Sequence, residues 1–467
     1  MEVFDAILKQ IDDVVWGPVL IIAILATGIY LTIRLGFVQI RHLGTALKFM
    51  VKNEEDGKGE VTSFGALCTA LSATIGTGNI VGVATAIVAG GPGALFWMEV
   101  AALFGMATKY AEGLLAVKYR TMDKDGRVLG GPFYYIENGM GKKWKWLGKI
   151  FAFFGVCVGL MGIGTFTQVN GITSAVGNFF DPNAVNTISI FGQDVSIAVV
   201  IAGVILTILV ALVLIGGIKR IANVSQVVVP FMAIIYVLFC LVLLILNVKA
   251  IPGAVVEIVQ SAFGARAVAG GVLGTMIVAM QKGIARGIFS NEAGLGSAPI
   301  AAAAAKTNEP VRQGLVSMTG TFIDTIVICT MTGLAIVITG AWDMGLEGVA
   351  VTTKAFQTGI PFASEAIAFI LMVCLIFFAF TTILGWDYYS EKCLEYLSGR
   401  NQVVVKIYRW VYILAVFIGP YFTVSQVWII ADIFNALMAV PNLIALVALS
   451  GVVVSETKAF FKKHSWK

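Results

Sequence analysis

The chain consists of long apolar runs separated by short polar segments. About 20 apolar residues are enough for an α-helix to cross the hydrocarbon core of a bilayer. By that measure the pattern predicts eleven membrane-spanning helices, and none of the segments between them resembles an independent soluble domain. The predicted spans are 14–36, 64–89, 93–118, 147–179, 195–216, 222–247, 266–281, 311–340, 362–392, 404–424 and 427–452.

The composition supports a membrane protein and argues against most enzyme classes. Of 467 residues, 58% are hydrophobic and 13% are charged, whereas about 25% of residues are charged in soluble domains. The chain has two histidines, and its six cysteines show no CxxC spacing. Histidine-based catalysis and the common zinc sites are therefore excluded. We expect a lipid-embedded protein that is not an enzyme and carries no organic cofactor.

The distribution of Lys and Arg predicts the orientation. These residues accumulate in cytoplasmic loops. With the N-terminus outside, 27 of the 32 Lys and Arg residues fall on the inner side and four fall outside. The sequence thus predicts a multi-pass protein of the cell membrane with its C-terminus in the cytoplasm. The net charge of +5 follows from this topology, and no nucleic-acid partner is expected.

Two predicted spans contain segments that make poor membrane helices. Segment 72–79 reads SATIGTGN, and segment 270–277 in the seventh span reads GGVLGTMI. Unpaired backbone in a bilayer is tolerated where it lines a cavity or binds something. Paired Gly-interrupted segments in two halves of a chain are typical of transporters built from inverted repeats. Glycines that let helices pack closely are the alternative interpretation.

The first of these segments has the groups that an amino acid and a cation need. Free amides where a broken helix resumes suit a carboxylate, and we assign this role to Gly76, Thr77 and Gly78. Carbonyl and hydroxyl oxygens before the break suit a hard cation. The residues that could supply them are Ser72, Thr74 and Ile75, and Asn79 could face either a second cation or the substrate.

Four strings of residues resemble a known family over nearly the whole chain. They are 72–79, 90–98 (GGPGALFWM), 130–136 (GGPFYYI) and 283–298 (GIARGIFSNEAGLGSA). They resemble the sodium:alanine (alanine or glycine:cation) symporter family. One departure is Glu99, which stands where that family usually continues with a second Trp.

The resemblance implies an all-α membrane protein with a LeuT-type core. That core has two inverted five-helix repeats, and the first helix of each repeat is unwound. Residues 1–60 would form an extra N-terminal helix and a cytoplasmic amphipathic segment, 61–250 the first repeat, 251–455 the second, and 456–467 a basic cytoplasmic tail. The implied function is sodium-coupled symport of a small neutral amino acid, alanine or glycine, into the cell by alternating access. The alternative is a proton-coupled amino-acid transporter of the same fold.

The resemblance also suggests residues for the two ligands. The hydroxyls of Thr381 and Thr382 would complete a sodium site with the carbonyls near Ile75. The alternative is that each threonine bonds a carbonyl of its own helix. Gln168, and with it Phe166, would reach the substrate from the third core helix. Around the second Gly-rich segment, the pocket would be lined by Thr275, Met276 and Ile277.

Trp386 and Asp324 each leave two or more interpretations open. Trp386 follows Thr382 by four residues, so both can lie on one face of a helix. It would either wall the pocket and limit substrate size, or anchor the helix at the membrane interface. Asp324 lies deep in an apolar run, where charged residues are functional candidates. It could be a proton site, a cation ligand or the partner of Lys109.

Overall fold

The protein is almost entirely helical. The computed structural model describes residues 2–52, 54, 57–123, 126–190, 193–264, 272–362, 364–421 and 424–464. The helices are α1 (Glu2–Val15), α2 (Pro18–Arg34), α3 (Val38–Arg41), α4 (Leu43–Val51), α5 (Ser63–Thr74), α6 (Val83–Gly90), α7 (Gly93–Lys118), α8 (Pro132–Tyr135), α9 (Lys145–Met161), α10 (Phe166–Phe180), α11 (Ile197–Leu214), α12 (Gly217–Leu246), α13 (Ile251–Ala262), α14 (Val272–Asn291), α15 (Ala298–Ala302), α16 (Pro310–Thr321), α17 (Thr330–Thr339), α18 (Val349–Gly359), α19 (Ser364–Leu397), α20 (Gln402–Ile418), α21 (Val424–Ala448) and α22 (Ser450–His464).

Short π and 3₁₀ turns and two small hairpins complete the described structure. The π-helical turns are Gly78–Gly82, Ile136–Met140 and Phe322–Cys329, and the 3₁₀ turns are Lys142–Trp144, Val248–Ala250, Ala341–Asp343 and Gly419–Tyr421. The antiparallel strand pairs are β1 (Thr121–Met122) with β2 (Val128–Leu129), and β3 (Thr187–Ile190) with β4 (Gln193–Ser196). Thr121 pairs with Leu129, and Thr187 pairs with Ser196.

Many of the helices have the length and hydropathy of membrane spans. Within the described residues, eight helical segments pass this test alone, and the bent pair α5–α6 passes as a ninth. The apolar helix α2 is shorter, with 17 residues. Only 22% of α11 is buried inside the protein although its mean hydropathy is 3.2, so its outer face suits lipid contact. The prediction of a mostly helical protein with several membrane-spanning helices is confirmed.

Two long helices form the centre of the molecule. Helix α7 is buried over most of its length and packs between α14 and α16. Helix α19 packs against α5, α9, α10 and α12. Small residues allow these close approaches: at Gly283 of α14, a β-carbon would collide with the backbone of Ala94 on α7. These two helices position the groups described below.

The first predicted break is present at the expected residues. Helix α5 begins at an N-cap, where the Thr62 hydroxyl accepts a hydrogen bond from the Gly65 amide at 3.0 Å. The helix ends at Ile75, whose backbone is extended (φ −76°, ψ 93°). The chain resumes in the π turn Gly78–Gly82 and continues as α6, bent by 50° from α5.

The second break is not where the sequence analysis placed it. Gly270 and Gly271 lie outside the described residues, and α14 then runs without interruption from Val272 to Asn291. A lone Gly274 among apolar residues weakens a helix by only about 1 kcal/mol, so it does not break this one. The interruption lies instead between Asn291 and Ala298, where Glu292, Gly294 and Gly296 have positive φ.

The ends of α5 and α15 that point away from the breaks are joined to each other. We call this joint the clasp: segment 57–61, segment 304–307 and the side chain of Arg120. The Val61 carbonyl accepts from the Lys306 amide at 2.7 Å, and the amides of Glu60 and Val61 both donate to the Ala304 carbonyl.

Arg120 and a glycine reinforce the clasp. The Arg120 guanidinium donates to four backbone carbonyls at 2.6–2.7 Å, those of Lys58, Ala303, Ala305 and Thr307. Gly59 has φ +154°, and a β-carbon there would collide with the backbone of Ala305. Backbone approach this close requires glycine.

Candidate functional site

At the first break, side chains from elsewhere bond the exposed backbone. The Gly76 amide donates to Asn79 Oδ1 at 3.0 Å instead of closing another helical turn. The Thr77 amide donates to Gln168 Oε1 of α10 at 3.1 Å. Two of the three amides expected for a carboxylate are therefore bonded to side chains. Among the residues that the structure describes, the buried Thr77 hydroxyl has no hydrogen-bond partner, which marks it as a group that a ligand can use.

Glycine at position 76 is required by the neighbours of the break. A β-carbon there would collide with Thr382 Oγ1 and lie 3.0 Å from Gln168 Oε1. Gly78 lies against Ser290, near the end of α14, with a hypothetical β-carbon 3.1 Å from the Ser290 Cα. Helices α10, α14 and α19 therefore all meet the first break.

Asn79 is held by Asp324, from the π turn Phe322–Cys329. Its Nδ2 donates to Asp324 Oδ1 at 2.8 Å and to the Asp324 main-chain oxygen at 3.1 Å. Asp324 Oδ2 accepts from Ser290 Oγ at 3.0 Å and from Thr325 Oγ1 at 2.8 Å. Both carboxylate oxygens thus accept hydrogen bonds from neutral groups. The geometry fixes Asn79 so that its Oδ1 faces the Gly76 amide.

Four oxygens gather between the end of α5 and the middle of α19. Thr382 Oγ1 lies 3.3 Å from the Ile75 carbonyl oxygen and 3.1 Å from that of Phe378. Thr381 Oγ1 lies 3.0 Å from the same Phe378 carbonyl. Carbonyl and hydroxyl oxygens are ligands that a hard cation prefers. Each threonine bonds its own helix, as one interpretation had it, and Thr382 also reaches the broken end of α5.

The hydroxyls of Ser72 and Thr74 do not point to this cluster. Ser72 Oγ donates to the Thr69 carbonyl at 2.8 Å, and Thr74 Oγ1 donates to the Ala70 carbonyl at 3.1 Å. Thr74 lines a different, small cavity together with Lys109. These side chains sit on a regular helix whose own carbonyls satisfy them. Ile75, at the helix end, has the carbonyl that faces α19.

At the second break, Glu292 connects the interruption to α19. Its side chain is fully buried, and its backbone φ is +57°. Glu292 Oε1 accepts from Trp386 Nε1 at 2.8 Å, and Oε2 accepts from Ser297 Oγ at 2.6 Å. Asn442 of α21 adds a further bond, donating to the Gly294 carbonyl at 2.9 Å. A non-glycine residue in the left-handed region is held there by such surroundings.

Trp386 is an interior residue. It has no exposed surface and packs edge-to-face on Tyr389. A β-carbon at Gly164, in the kink between α9 and α10, would collide with the Trp386 β-carbon. The interpretation of Trp386 as an interfacial anchor is therefore wrong. Trp386 and Thr382 lie one turn apart on α19, and each contacts one break.

Three residues predicted to line the pocket lie elsewhere. Thr275 and Ile277 are exposed, Met276 is half-buried, and Thr275 lines a surface cavity with Gly90 and Trp342. Ile277 and Asn291 are 14 positions apart on one continuous helix, which is about 21 Å at 1.5 Å per residue. Their predicted position at a break is wrong, because the break follows Asn291.

Phe166 is the first residue of α10 and is half-buried. Its ring approaches Gly419, in the 3₁₀ turn after α20. It therefore faces α20, whereas Gln168, two residues later, reaches the break.

A cavity of about 580 Å³ leads toward the first break. Gly171 lines this cavity and packs directly against Thr77. Arg286 of α14 also lines it and forms a two-pronged ion pair with Asp432 of α21, at 2.7 and 3.1 Å. The Asp432 main-chain carbonyl also accepts from the Trp16 indole at 2.8 Å, so the segment between α1 and α2 is hydrogen-bonded to the same residue of α21.

Sequence reasoning missed Phe378 and Glu292 as members of the site. Phe378 contributes a backbone carbonyl, which no side-chain pattern reveals. Glu292 belongs to segment 291–297 (NEAGLGS), whose two glycines and polar residues match the composition of segment 72–79. That composition was the signal that could have located the second break.

Comparison with known proteins agrees with this architecture. The model of the sodium:alanine symporter family matches residues 1–467. An uncharacterized transporter of Haemophilus influenzae is 55% identical over 461 residues, covering 98% of this chain and 96% of its own length. The sodium/alanine symporter AgcS of Methanococcus maripaludis is 49% identical over 465 residues, covering 98% and 97%.

Among solved structures, the LeuT-fold transporter MhsT in complex with L-phenylalanine is similar. The TM-score is 0.56 at 16% identity, covering 88% of this chain and 91% of MhsT. At that identity the likeness concerns the fold alone.

Proposed function

Because the chain belongs to the sodium:alanine symporter family, we propose that it imports a small neutral amino acid such as alanine or glycine together with sodium. The family consists of transporters, so the protein is a membrane carrier and not an enzyme. One observation supports the proposal that sodium and a small amino acid bind here. The broken end of α5 brings oxygens that suit a hard cation close to a buried hydroxyl without a partner in the described residues, beside a cavity.

We assign eleven spans to the chain, ten of them in a LeuT-type core. Repeat 61–250 begins with the broken pair α5–α6, and repeat 251–455 has α14–α15 as its broken helix. Helix α2 is the extra span. Two interrupted helices in corresponding positions support this arrangement, because such interruptions lie at the binding site of inverted-repeat transporters.

The proposed sodium ligands are the carbonyl oxygens of Ile75 and Phe378 and the hydroxyls of Thr381 and Thr382. A cation between them replaces the hydrogen bonds that now join Thr382 to Ile75 and Phe378. This site would connect the end of α5 to α19. An ion at the carbonyl end of the broken helix therefore orders the amides that follow it.

The proposed substrate site begins at Thr77. Its free hydroxyl and the Gly78 amide receive the substrate carboxylate, and Gln168 rotates away so that the Thr77 amide can join them. The positive end of the helix that resumes after the break favours this negative charge. Sodium and carboxylate then stabilise the two sides of one break, which couples their binding.

Uptake into proteoliposomes tests this function. Labelled alanine and glycine should accumulate under an inward sodium gradient and be displaced by each other, but poorly by leucine, glutamine or phenylalanine. Accumulation that is unchanged when a proton gradient replaces sodium would favour the proton-coupled alternative. No uptake of either amino acid under either gradient would overturn the substrate assignment.

The sodium site has its own test. The double variant Thr381→Val/Thr382→Val keeps the side-chain shape and removes two ligand oxygens, so the sodium concentration for half-maximal uptake should rise at least tenfold. Thr207→Val is the matched control, because the Thr207 hydroxyl bonds its own helix, donating to the Gly203 carbonyl at 2.7 Å. Equal sodium dependence in both variants would place the ion elsewhere.

A further inference from the structure

A second cavity lies away from the two breaks, where α2 ends against α22. Its volume is about 340 Å³. The turn after α2 forms one wall and α22 forms the other. The lining residues are Leu35, Gly36, Arg41, His42, Thr457, Lys458 and Phe461.

Two cations at this cavity lack an acidic partner. Arg41 and Lys458 are both exposed, and in the described part of the chain neither lies within 4.0 Å of a carboxylate. The nearest acidic residue in sequence, Glu456, is bonded to Lys118 at 2.8 Å. Burial and the neighbouring Arg41 hold the pKa of His42 below its usual range, so the ring stays neutral. The cavity therefore presents two uncompensated positive charges.

The shape of the turn positions one of these cations over the cavity. Gly36 and Phe37 both have left-handed backbones, with φ +61° and +60°. This reversal lets Arg41 fold back, with its guanidinium 3.5 Å from the place of a β-carbon on Gly36. The His42 ring stacks on Phe461 with centroids 4.0 Å apart. The result is an aromatic floor with cations at the rim.

Apolar side chains continue outward from the same rim. Ile33, Phe37 and Ile40 are 64%, 49% and 59% exposed. They continue the outer face of α2, where Val19 and Ile22 are also exposed. In a membrane protein such a face contacts acyl chains. The basic cavity is thus next to a lipid-facing surface, at the end of an apolar helix.

We propose that this cavity binds the phosphate of an anionic phospholipid, with Arg41 and Lys458 on the headgroup and the acyl chains along α2. Basic pockets between helices at a membrane surface recognise such headgroups. The occupant is a lipid and not a free anion for two reasons. Exposed cations hold a small anion only weakly in water, and the rim of Ile33, Phe37 and Ile40 contributes only when acyl chains are attached.

The test measures the thermal stability of delipidated protein in a neutral detergent. Phosphatidylglycerol should raise the melting temperature, whereas phosphatidylcholine and inorganic phosphate should not. Arg41→Gln/Lys458→Gln should lower the apparent affinity for phosphatidylglycerol at least fivefold. Lys143→Gln/Lys406→Gln is the matched control, since it removes two exposed Lys charges elsewhere and should leave the response unchanged.

Two outcomes would overturn the proposal. One is an equal response to phosphatidylglycerol in both double variants, which would indicate a diffuse surface effect. The other is stabilisation of the wild type by inorganic phosphate to the same extent, which would indicate a site for a free anion. If Arg41→Gln/Lys458→Gln unfolds without lipid, the single variant Lys458→Gln provides the same comparison. Retention of phosphatidylglycerol, measured by native mass spectrometry, is then the readout.

Discussion

At the scale of residues, one face of α19 serves both interrupted helices. Thr382 reaches the carbonyl end of α5, and Trp386, one turn later, donates to Glu292 at the second break. Neither contact is a local one, since 307 and 94 residues separate the partners. A broken helix leaves backbone groups without intrahelical partners, so these side chains hold the irregular backbone in one conformation.

The contact between Trp386 and Glu292 can be measured as a coupling energy. Trp386→Phe removes the indole donor and leaves a buried carboxylate oxygen with one partner fewer, so the variant should melt at a lower temperature. Glu292→Met removes the acceptor of the indole at similar side-chain volume, and the double variant should be less destabilised than the sum of the two single variants. The expected coupling is about 1.5–3 kcal/mol, as for a hydrogen bond to a charged group. Additive effects in the double-mutant cycle would contradict the contact.

Asp324 is expected to position Asn79. Asp324→Asn retains the shape but replaces one carboxylate oxygen by an NH₂ donor, so either Asn79 at Oδ1 or Ser290 and Thr325 at Oδ2 lose their acceptor, and maximal uptake should fall by about tenfold. The sodium concentration for half-maximal uptake should stay within about twofold of the wild type. A large rise in that concentration would assign Asp324 as a cation ligand, and a shifted pH profile of uptake would assign it as a proton site.

Residue types alone predicted part of this site. Gly76, Thr77 and Asn79 are predicted because polar and small residues are conspicuous in an apolar span. Gln168 is predicted from the family resemblance, and the structure brings it to the same break. Phe378 could not be found in this way, because its contribution is a main-chain oxygen. Which hydroxyl faces the break depends on helix phase: Thr382 reaches Ile75, whereas Thr74 turns to its own helix.

At the scale of elements, the clasp joins α5 and α15 into one unit. Hydrogen bonds between segments 57–61 and 304–307, together with the four carbonyls on Arg120, tie the two short helices at the ends away from their breaks. Each helix is separated from its other half by irregular backbone. The two short helices are therefore joined directly to each other, and each is joined to its own other half only by irregular backbone and side-chain contacts.

A cross-link across the clasp should leave transport intact. Val61 and Ala305 form a parallel bridge pair, and paired strand positions have Cα separations compatible with a disulfide. With the six native cysteines replaced, Val61→Cys/Ala305→Cys should transport at near wild-type rate after oxidation. Loss of uptake on oxidation, reversed by a reducing agent, would mean that α5 and α15 must separate during the cycle.

Disruption of the clasp should have the opposite effect. Arg120→Ala removes the donor shared by four carbonyls and should lower both stability and uptake. Arg127→Ala is the control, because this arginine lies on the same β-hairpin, where its backbone bonds Asp123.

Element boundaries were predicted where composition changes sharply, and not elsewhere. The segment 64–89 was predicted with its interruption, because Gly, Thr and Asn replace apolar residues there. The span 266–281 was misplaced, since α14 continues to Asn291 through the polar residues Lys282 and Arg286. The Arg286 side chain faces protein in its pair with Asp432, and hydropathy cannot distinguish such a polar residue inside a helix from a helix end.

At the scale of the whole molecule, charge distribution predicts a topology that the structure does not test. With the N-terminus outside, Asn186 lies outside and Lys143 lies inside, and both residues are exposed. In a cysteine-free background, Asn186→Cys should react with an impermeant thiol reagent in sealed right-side-out cells. Lys143→Cys should react only after permeabilisation. Labelling of Lys143→Cys in intact cells would reverse the orientation.

The clasp also bears on how tightly the movement of sodium is coupled to that of the solute. A symporter dissipates the sodium gradient when it changes conformation with sodium bound but without the solute, because sodium then crosses the membrane alone. Because hydrogen bonds to a shared arginine tie α5 and α15 at their ends, a displacement of one helix is transmitted to the other. We expect this joint to make the two short helices move together, which disfavours a partial movement driven by sodium alone.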